Sequence, residues 1–439
     1  MDRKKLDIQT VAWDEAGDTL GAVRRRVFVE EQGVPEALEW DGLDAGARHF
    51  LAQVDGAAVG CARLLADGHI GRMAVLRPWR GRGIGTALLQ AVLGACRARG
   101  QGLVFLNAQT AALDFYRRLG FHAVGGEFID AGIPHLRMER AMETLTQQLD
   151  RQHGIAGKLR FVDAAPGLPV GEIALPQASA RIAVNGAQVL EWAPAGQPPV
   201  LWVSRAAVYQ PGKGVRGGVP VCWPWFGAGA DGQPAHGFVR TRLWQVRQTG
   251  LGPADTVFLR LGLTDDESTR ALWNHAFDLE LVVSVGAALK IELVTRNTGV
   301  EPFTITDGLH TYFRVGDIGK TRVLGLEETA YLDKVQGMKE GRQRGAVEFG
   351  GETDRVYLDT TADCIIDDAA LGRKIRVAKS GSRSSVVWNP WGEKEKSFAD
   401  MAADEYRDML CVETTNAATD SVIVPPGGEH RLVAFIGVE

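Results

Sequence analysis

Paired cysteines, long apolar runs and a surplus of basic charge are all missing from this chain of 439 residues. Its five cysteines, Cys61, Cys96, Cys222, Cys364 and Cys411, are scattered and form no Cys-x-x-Cys pair. Neither a disulfide framework nor a cysteine zinc site is expected, and no residue is assigned to a metal. No stretch approaches the roughly 18 apolar residues that cross a bilayer, so no membrane partner is expected. The opening MDRKKLDIQTVAWDEAG lacks the apolar segment of a secretion signal, which makes a reducing cytoplasm the expected compartment. Lysine and arginine number 49 against 54 acids, a net charge of −5; residues 1–145 hold 18 of each sign, so the acidic surplus lies in the remainder. Binding a nucleic-acid backbone calls for the opposite balance, and no nucleic-acid partner is expected. Even the run Arg24-Arg25-Arg26 reads as a solvated helix face. The oligomeric state is left open.

What is present is ordinary globular material, 45 % hydrophobic and 23 % charged, enough for more than one core. The chain changes character near residue 145. Before it, helix and strand signals alternate: HFLAQV-DG-AAVGCARLL reads as two strands about an Asp-Gly turn, and HIGRMAV as a third strand. Apolar residues at Ile84, Ala87, Leu88, Ala91, Val92 and Ala95 trace one face of a helix ending at Gly100. A strand at 103–106 and a helix ending at Leu119-Gly120 follow. After it, helical periodicity largely disappears. RIAV-NG-AQVLEW reads as a hairpin, and FDLELVVSV, LKIELVTRN and FTITDGLHTYF as strands, the habit of a large antiparallel β-sandwich. The expected organisation is a mixed α/β domain over 1–145, a linker over 146–158 and a β-sandwich over 159–439.

In the first domain, a strand at Met73-Ala-Val75 feeds the turn Arg80-Gly81-Arg82-Gly83-Ile-Gly85, which opens into a helix. Glycines let the backbone approach a ligand, and the unpaired first amides of a helix, with its dipole, suit a pyrophosphate. Together with Asn107-Ala-Gln109 and Phe115-Tyr116-Arg-Arg-Leu-Gly-Phe121, this turn resembles the GNAT superfamily of acetyltransferases over nearly all of 8–142. RRRVFVEEQGVPEALEWDGLDAGARHF and GIPHLRMER resemble its small ElaA-like bacterial branch. The resemblance implies acetyl-CoA as cosubstrate, held by Met73, Val75, Arg80, Gly81, Arg82, Gly83, Gly85 and Asn107. It further implies Tyr116 as the acid that protonates the leaving thiolate. A strand amide near Ala74 or Val75 would polarise the thioester carbonyl, while His49, His135 and Glu127 are possible bases for an amine acceptor that the sequence does not specify.

In the second domain, four segments set polar residues among aromatics: 215–227, 234–244, 307–315 and 386–401. Aromatic faces suit the C–H faces of a sugar, and neighbouring polar groups read its hydroxyls. Arg216-Gly-Gly-Val-Pro, His236-Gly-Phe-Val-Arg240, His310-Thr-Tyr-Phe, Glu352-Thr-Asp354, Trp388-Asn-Pro-Trp391 and Cys411-Val-Glu413, in this order, closely resemble the hexose-6-phosphate mutarotases of the galactose-mutarotase-like superfamily. That resemblance implies a supersandwich fold and ring opening without cofactor, with Glu413 as general base and His310 as general acid. His236, Asp354 and Trp388 would contact the sugar, and Arg216 and Arg240 its phosphate, with Lys213 and Arg242 as neighbours. Where some relatives carry a proline, this chain reads Thr-Thr-Asn after the glutamate. The whole then reads as a bifunctional enzyme whose partners are a hexose phosphate, acetyl-CoA and an amine. A sugar-phosphate sensor with a degenerate CoA-binding domain is the non-enzymatic alternative, and a lyase or other isomerase on the same sandwich is a third.

Overall fold

The computed structural model describes residues 5–230 and 232–439. The chain folds as two compact units, Met1–Leu145 and Thr146–Glu439. In the first, the Asp55-Gly56 turn joins Arg48–Val54 to Ala57–Leu64, and Leu6–Val11 and Ile70–Val75 flank them in a four-stranded antiparallel sheet. A second antiparallel sheet orders Leu103–Gln109, Ile133–Ala141 and His122–Asp130. The expected amphipathic helix spans Ile84–Ala98. It places Leu88, Leu89, Val92, Leu93 and Cys96 in one core with Phe50, Ala52, Val104, Leu106 and Met138. Each large aliphatic side chain so buried contributes about 1.5–3 kcal/mol, which makes this helix a main fastening of the unit. A parallel bridge, His69 to Phe105, links the residue before Ile70–Val75 to the strand Leu103–Gln109. No ladder joins these two strands among the described residues, and both line the cavity described below.

The arginine run at 24–26 departs from expectation. Arg24 is 1 % exposed, its Nε donating to Glu39 Oε1 at 2.6 Å and its Nη1 to Asp44 Oδ1 at 2.8 Å. Arg63 joins the same network through Asp41 and Asp44. A guanidinium is tolerated inside only when carboxylates surround it, and these lie 15 to 20 residues away in sequence. Arg25 and Arg26 alone are exposed.

The stretch expected to be a linker is folded. Leu145–His153 is a helix whose Leu149 is buried and whose Asp150 accepts the Phe161 amide at 2.7 Å. Among the described residues, nine strands make one antiparallel sheet, with Phe277–Val285, Leu289–Asn297 and Glu429–Val438 at its middle. Leu279, Leu281, Val283 and Val285 alternate into its buried face. A second sheet of eight strands carries Asp307–Leu309, Met409–Asn416, Ser384–Asn389 and Thr353–Tyr357 as neighbours. Trp223, wholly buried among Phe238, Trp273 and Phe277, donates its indole N–H to Thr295 Oγ1 at 3.0 Å and so ties the two sheets together. The Asn185-Gly186 hairpin forms between Ala178–Ala183 and Gln188–Pro194, in a separate four-stranded sheet.

Candidate active sites

Cross-strand register assembles the site of the second unit. Tyr312 and Trp388 both sit opposite Cys411, and Asp354 sits opposite Trp388, so these four share one face of the sheet. Glu413, two residues beyond Cys411 on the same strand, joins that face. His310 lies between Asp307–Leu309 and Tyr312–Arg314, fixed by its amide to the Pro220 carbonyl and by its ring stacked 4.9 Å from Tyr312. His236 brings its ring to 5.5 Å from that of His310. The glycines of the motifs have a packing cause. A Cβ on Gly217 or Gly218 would come within 2.4 or 2.2 Å of the Trp202 or Val189 carbonyl oxygens, and one on Gly237 within 1.8 Å of that of Trp223. Only glycine lets Arg216 and His236 sit this close to the sheet.

His310 Nε2 and Glu413 Oε1 stand 3.4 Å apart, with side chains 13 % and 1 % exposed. Glu413 Oε2 and His310 Nδ1 are buried without a hydrogen-bond partner. Burial, reinforced by the nearby Asp354 charge, holds the Glu413 carboxyl well above the carboxylate range. Burial, then the charges of His236, Arg240 and Arg216, hold His310 well below the histidine range. Both shifts act in one direction, favouring the uncharged arrangement of the pair, with the proton on the carboxyl. His236 is pushed down to about 3 by burial and the neighbouring Arg240, Lys334 and Arg216 charges. Its Nδ1 accepts the Gly227 amide at 3.3 Å, which leaves Nε2–H as a donor.

Three cations ring the histidines. Arg216 donates to Asp400 Oδ1 from Nε and Nη2 at 3.1 and 3.0 Å and to the Tyr312 hydroxyl at 3.3 Å, with its guanidinium 4.6 Å over Phe398. Arg240 spends one Nη2 bond on the Ala235 carbonyl, at 2.8 Å. Lys334 pairs with Asp354 at 3.0 Å. Lys334, Phe398 and Asp400 escaped the sequence reading. Phe398 and Asp400 lie inside an aromatic segment already singled out, whereas nothing around Lys334 marks it. Of the suggested neighbours, Arg242 binds Ser268 Oγ at 2.6 Å and Lys213 is exposed. The Thr-Thr-Asn departure is accommodated inside the sheet: the Thr415 carbonyl accepts the Ser382 and Ser384 hydroxyls, and Asn416 meets His430 at 3.0 Å.

In the first unit a cavity of about 330 Å³ lies between the two sheets, lined by Met73, Val75, Arg80, Asn107, Tyr116 and His135 among others. Gly81 and Gly83 take φ values of 73° and 83°, with nothing within 4 Å of where a Cβ would stand. Gly83 is the N-cap of Ile84–Ala98, and no side chain caps that end, so its first amides face an open, glycine-lined turn. This is an anion cradle that fits a pyrophosphate. A Cβ on Gly85 would instead meet Phe115 at 3.5 Å. Arg82 lies over Trp79, while Arg80 is already engaged: it pairs with Glu31 at 2.6 and 2.8 Å and caps the Val75 carbonyl. Tyr116 Oη reaches Met73 Sδ at 3.8 Å, and burial pushes its pKa up to about 12. Of the three possible bases, His49 is buried against the Asp44 carbonyl and Glu127 is exposed on a hairpin. His135 lines the cavity, its Nδ1–H donating to the Ile133 carbonyl at 2.8 Å, which leaves Nε2 as the ring nitrogen outside that bond.

A buried carboxyl facing an imidazole in an aromatic recess of a β-sandwich accords with the resemblance to sugar epimerases, and a glycine turn at a helix start, beside a cavity that a tyrosine lines, accords with the resemblance to acetyltransferases. Comparison with known proteins agrees on both. The aldose 1-epimerase family matches residues 172–434, and the acetyltransferase (GNAT) domain matches 12–142. A protein of Escherichia coli K12 named "Putative glucose-6-phosphate 1-epimerase" is 41 % identical over 257 residues, 58 % of this chain and 85 % of the relative. A Bacillus subtilis protein named as a "Putative acetyltransferase" is 33 % identical over 141 residues, 31 % of this chain and 96 % of the relative. The crystal structure of a "putative mutarotase" from Salmonella typhimurium superposes with a TM-score of 0.61 at 36 % identity, covering 65 % of this chain and 95 % of that one. This chain belongs to the aldose 1-epimerase family and carries a GNAT acetyltransferase domain ahead of the epimerase domain.

Proposed function

We propose that the second unit interconverts the α and β anomers of a hexose 6-phosphate, glucose 6-phosphate first among them, and that the first unit transfers an acetyl group from acetyl-CoA to an amine. The opposed His310 and Glu413, ringed by Arg216, Arg240 and Lys334, carry the first reading. Glu413 as carboxylate takes the proton of the anomeric hydroxyl while His310 as imidazolium gives one to the ring oxygen, and the C1–O5 bond breaks. The aldehyde turns about C1–C2 and recloses on its other face, and both protons return. His236 Nε2–H steadies the ring, Trp388 offers an aromatic face and Asp354 a hydroxyl acceptor. Arg216 and Arg240 bind the phosphate, for which planar guanidinium forks are suited. Asp400 must yield its hold on Arg216 when that happens.

Acetyl-CoA, when bound, supplies the activated thioester. Gly81, Gly83 and the first amides of Ile84–Ala98 hold its pyrophosphate, with Arg82 adding charge and Gly85 keeping the helix close to Phe115. Met73, Val75 and Asn107 orient the thioester end from the two strands. Tyr116 holds the proton destined for the thiolate, and His135 Nε2 takes one from the amine. Arg80 serves this turn by bracing it through Glu31 and Val75 more than by free charge. We place both activities in the cytoplasm.

The test compares kcat/KM for anomerisation of glucose 6-phosphate and of glucose, and thiol release from acetyl-CoA with a panel of amines. A preference for the phosphorylated sugar supports the first reading; equal rates leave a mutarotase without the phosphate assignment. Failure on every hexose phosphate would favour a sugar-phosphate sensor. Thiol release without amine dependence would overturn the amine acceptor.

A further inference from the structure

Ring opening requires the charged arrangement of the His310–Glu413 pair, the one that its burial disfavours. Attack on the anomeric hydroxyl needs a carboxylate, and cleavage of the ring bond needs an imidazolium. Buried and 3.4 Å apart, the two groups are biased toward the uncharged arrangement, with the proton on the carboxyl. The two arrangements contain the same number of protons and differ only in where one of them resides. A dry site favours the uncharged arrangement, because two separated charges lose hydration.

The charges facing each partner are different. Tyr312 stacks on His310 at 4.9 Å and its hydroxyl meets Arg216 at 3.3 Å, so one guanidinium lies one residue away from the imidazole and its charge bears on it. His236, 5.5 Å away on another side, follows Ala235, whose carbonyl holds Arg240. Phe226 and Trp388 close the remaining sides of the ring without charge. Glu413 is faced by Cys411, by His310 itself and, one layer out, by the Lys334–Asp354 pair. The arginines thus bear on the imidazole and the lysine–aspartate pair on the carboxyl. Asp400, half out in solvent, offsets Arg216 only in part.

We propose that the substrate's phosphate group, seated on Arg216 and Arg240, moves one proton from Glu413 to His310 and so sets the pair in its ring-opening state. The proposal rests on the hexose-phosphate reading above. The Glu413 O–H bond breaks, the His310 N–H bond forms, the net charge of the pair is unchanged, and no further reactant is needed. The dianion offsets the two guanidinium charges that oppose imidazolium, and it acts less on Glu413, on which the Asp354 and Lys334 charges bear instead. The phosphate then contributes to kcat as well as to KM, since its effect is exerted on the reacting groups.

Inorganic sulfate is the probe, a dianion too weakly basic to open the ring itself. With the full chain and glucose as substrate, saturating sulfate should raise kcat/KM about tenfold or more. The His310 ring nitrogens, assigned by NMR against the His310→Asn variant, should move toward the imidazolium position in the same titration. Both effects should vanish in an Arg216→Gln/Arg240→Gln variant. If sulfate binds by calorimetry while the His310 resonances and glucose turnover stay unchanged, the phosphate is an anchor only and the proposal falls, with the hexose-phosphate reading intact. If neither sulfate nor glucose 6-phosphate binds, that reading falls and the proposal with it.

Discussion

The two sites do their work with different parts of the chain. In the epimerase unit the proposed acid and base are side chains held at a sheet: Glu413 is 1 % exposed and His310 13 %, and burial moves the pKa of the first up and of the second down. In the acetyltransferase unit the proposed binding falls largely to backbone, an uncapped helix start and a left-handed turn at Gly81 and Gly83, with Tyr116 shifted up to about 12 in the adjoining cavity. A site built from buried ionisable side chains costs its fold stability and gains tuned acids and bases. A site built from amides costs little but accepts any ligand with a matching anion.

This contrast can be broken most forcefully at the acid–base pair. Glu413→Gln should lower kcat for anomerisation by about 10²–10⁴-fold while leaving thiol release from acetyl-CoA untouched, measured on one preparation. Tyr116→Phe should do the converse, lowering acetyl transfer by about 10²-fold with anomerisation unchanged. Loss of both activities from either variant would mean that the units are not independent. Next comes recognition: Arg240→Gln should raise KM for glucose 6-phosphate about 10–100-fold, the worth of a charge-assisted hydrogen bond, without raising KM for glucose.

The smallest expected effects are on stability. Because the folded-state pKa of Glu413 is raised above its ordinary value of 4.5, its contribution is fully present below that value and is lost as pH rises through the folded-state value. Glu413→Gln should therefore stabilise the epimerase unit, by about 1–3 kcal/mol at alkaline pH and less toward pH 4. Thermal melts across pH read this directly, and a variant less stable at high pH would contradict it. Gly83→Ala acts on the other unit through backbone strain, costing about 1–2 kcal/mol at a φ of 83° and weakening acetyl-CoA binding.

The same contrast explains what was legible in the sequence. The Asp55-Gly56 and Asn185-Gly186 turns and the helix from Ile84 follow from local pattern, and the structure has all three. Arg216-Gly-Gly and His236-Gly stand out as motifs because close backbone contacts admit no side chain at Gly217, Gly218 and Gly237. Partnerships across long separations left no local trace. Arg24 looked like a surface charge because Glu39 and Asp44 reach it only through the fold. Arg80 looked free because Glu31 is 49 residues away, and Asp400 reaches Arg216 across 184. The stretch METLTQQLDRQ is helix-compatible in sequence, but its packing is not legible there, because Asp150 meets the Phe161 amide only in the fold. Charge is visible in a sequence; its compensation is visible only in space.

The most direct test of the account is two-dimensional exchange NMR on the anomeric signals of glucose 6-phosphate, comparing wild type with Glu413→Gln and His310→Asn. The account predicts accelerated α–β exchange with wild type and a rate near that of the uncatalysed sugar with either variant. Exchange that both variants sustain at the wild-type rate would contradict it, and would place the ring-opening acid and base elsewhere in the chain.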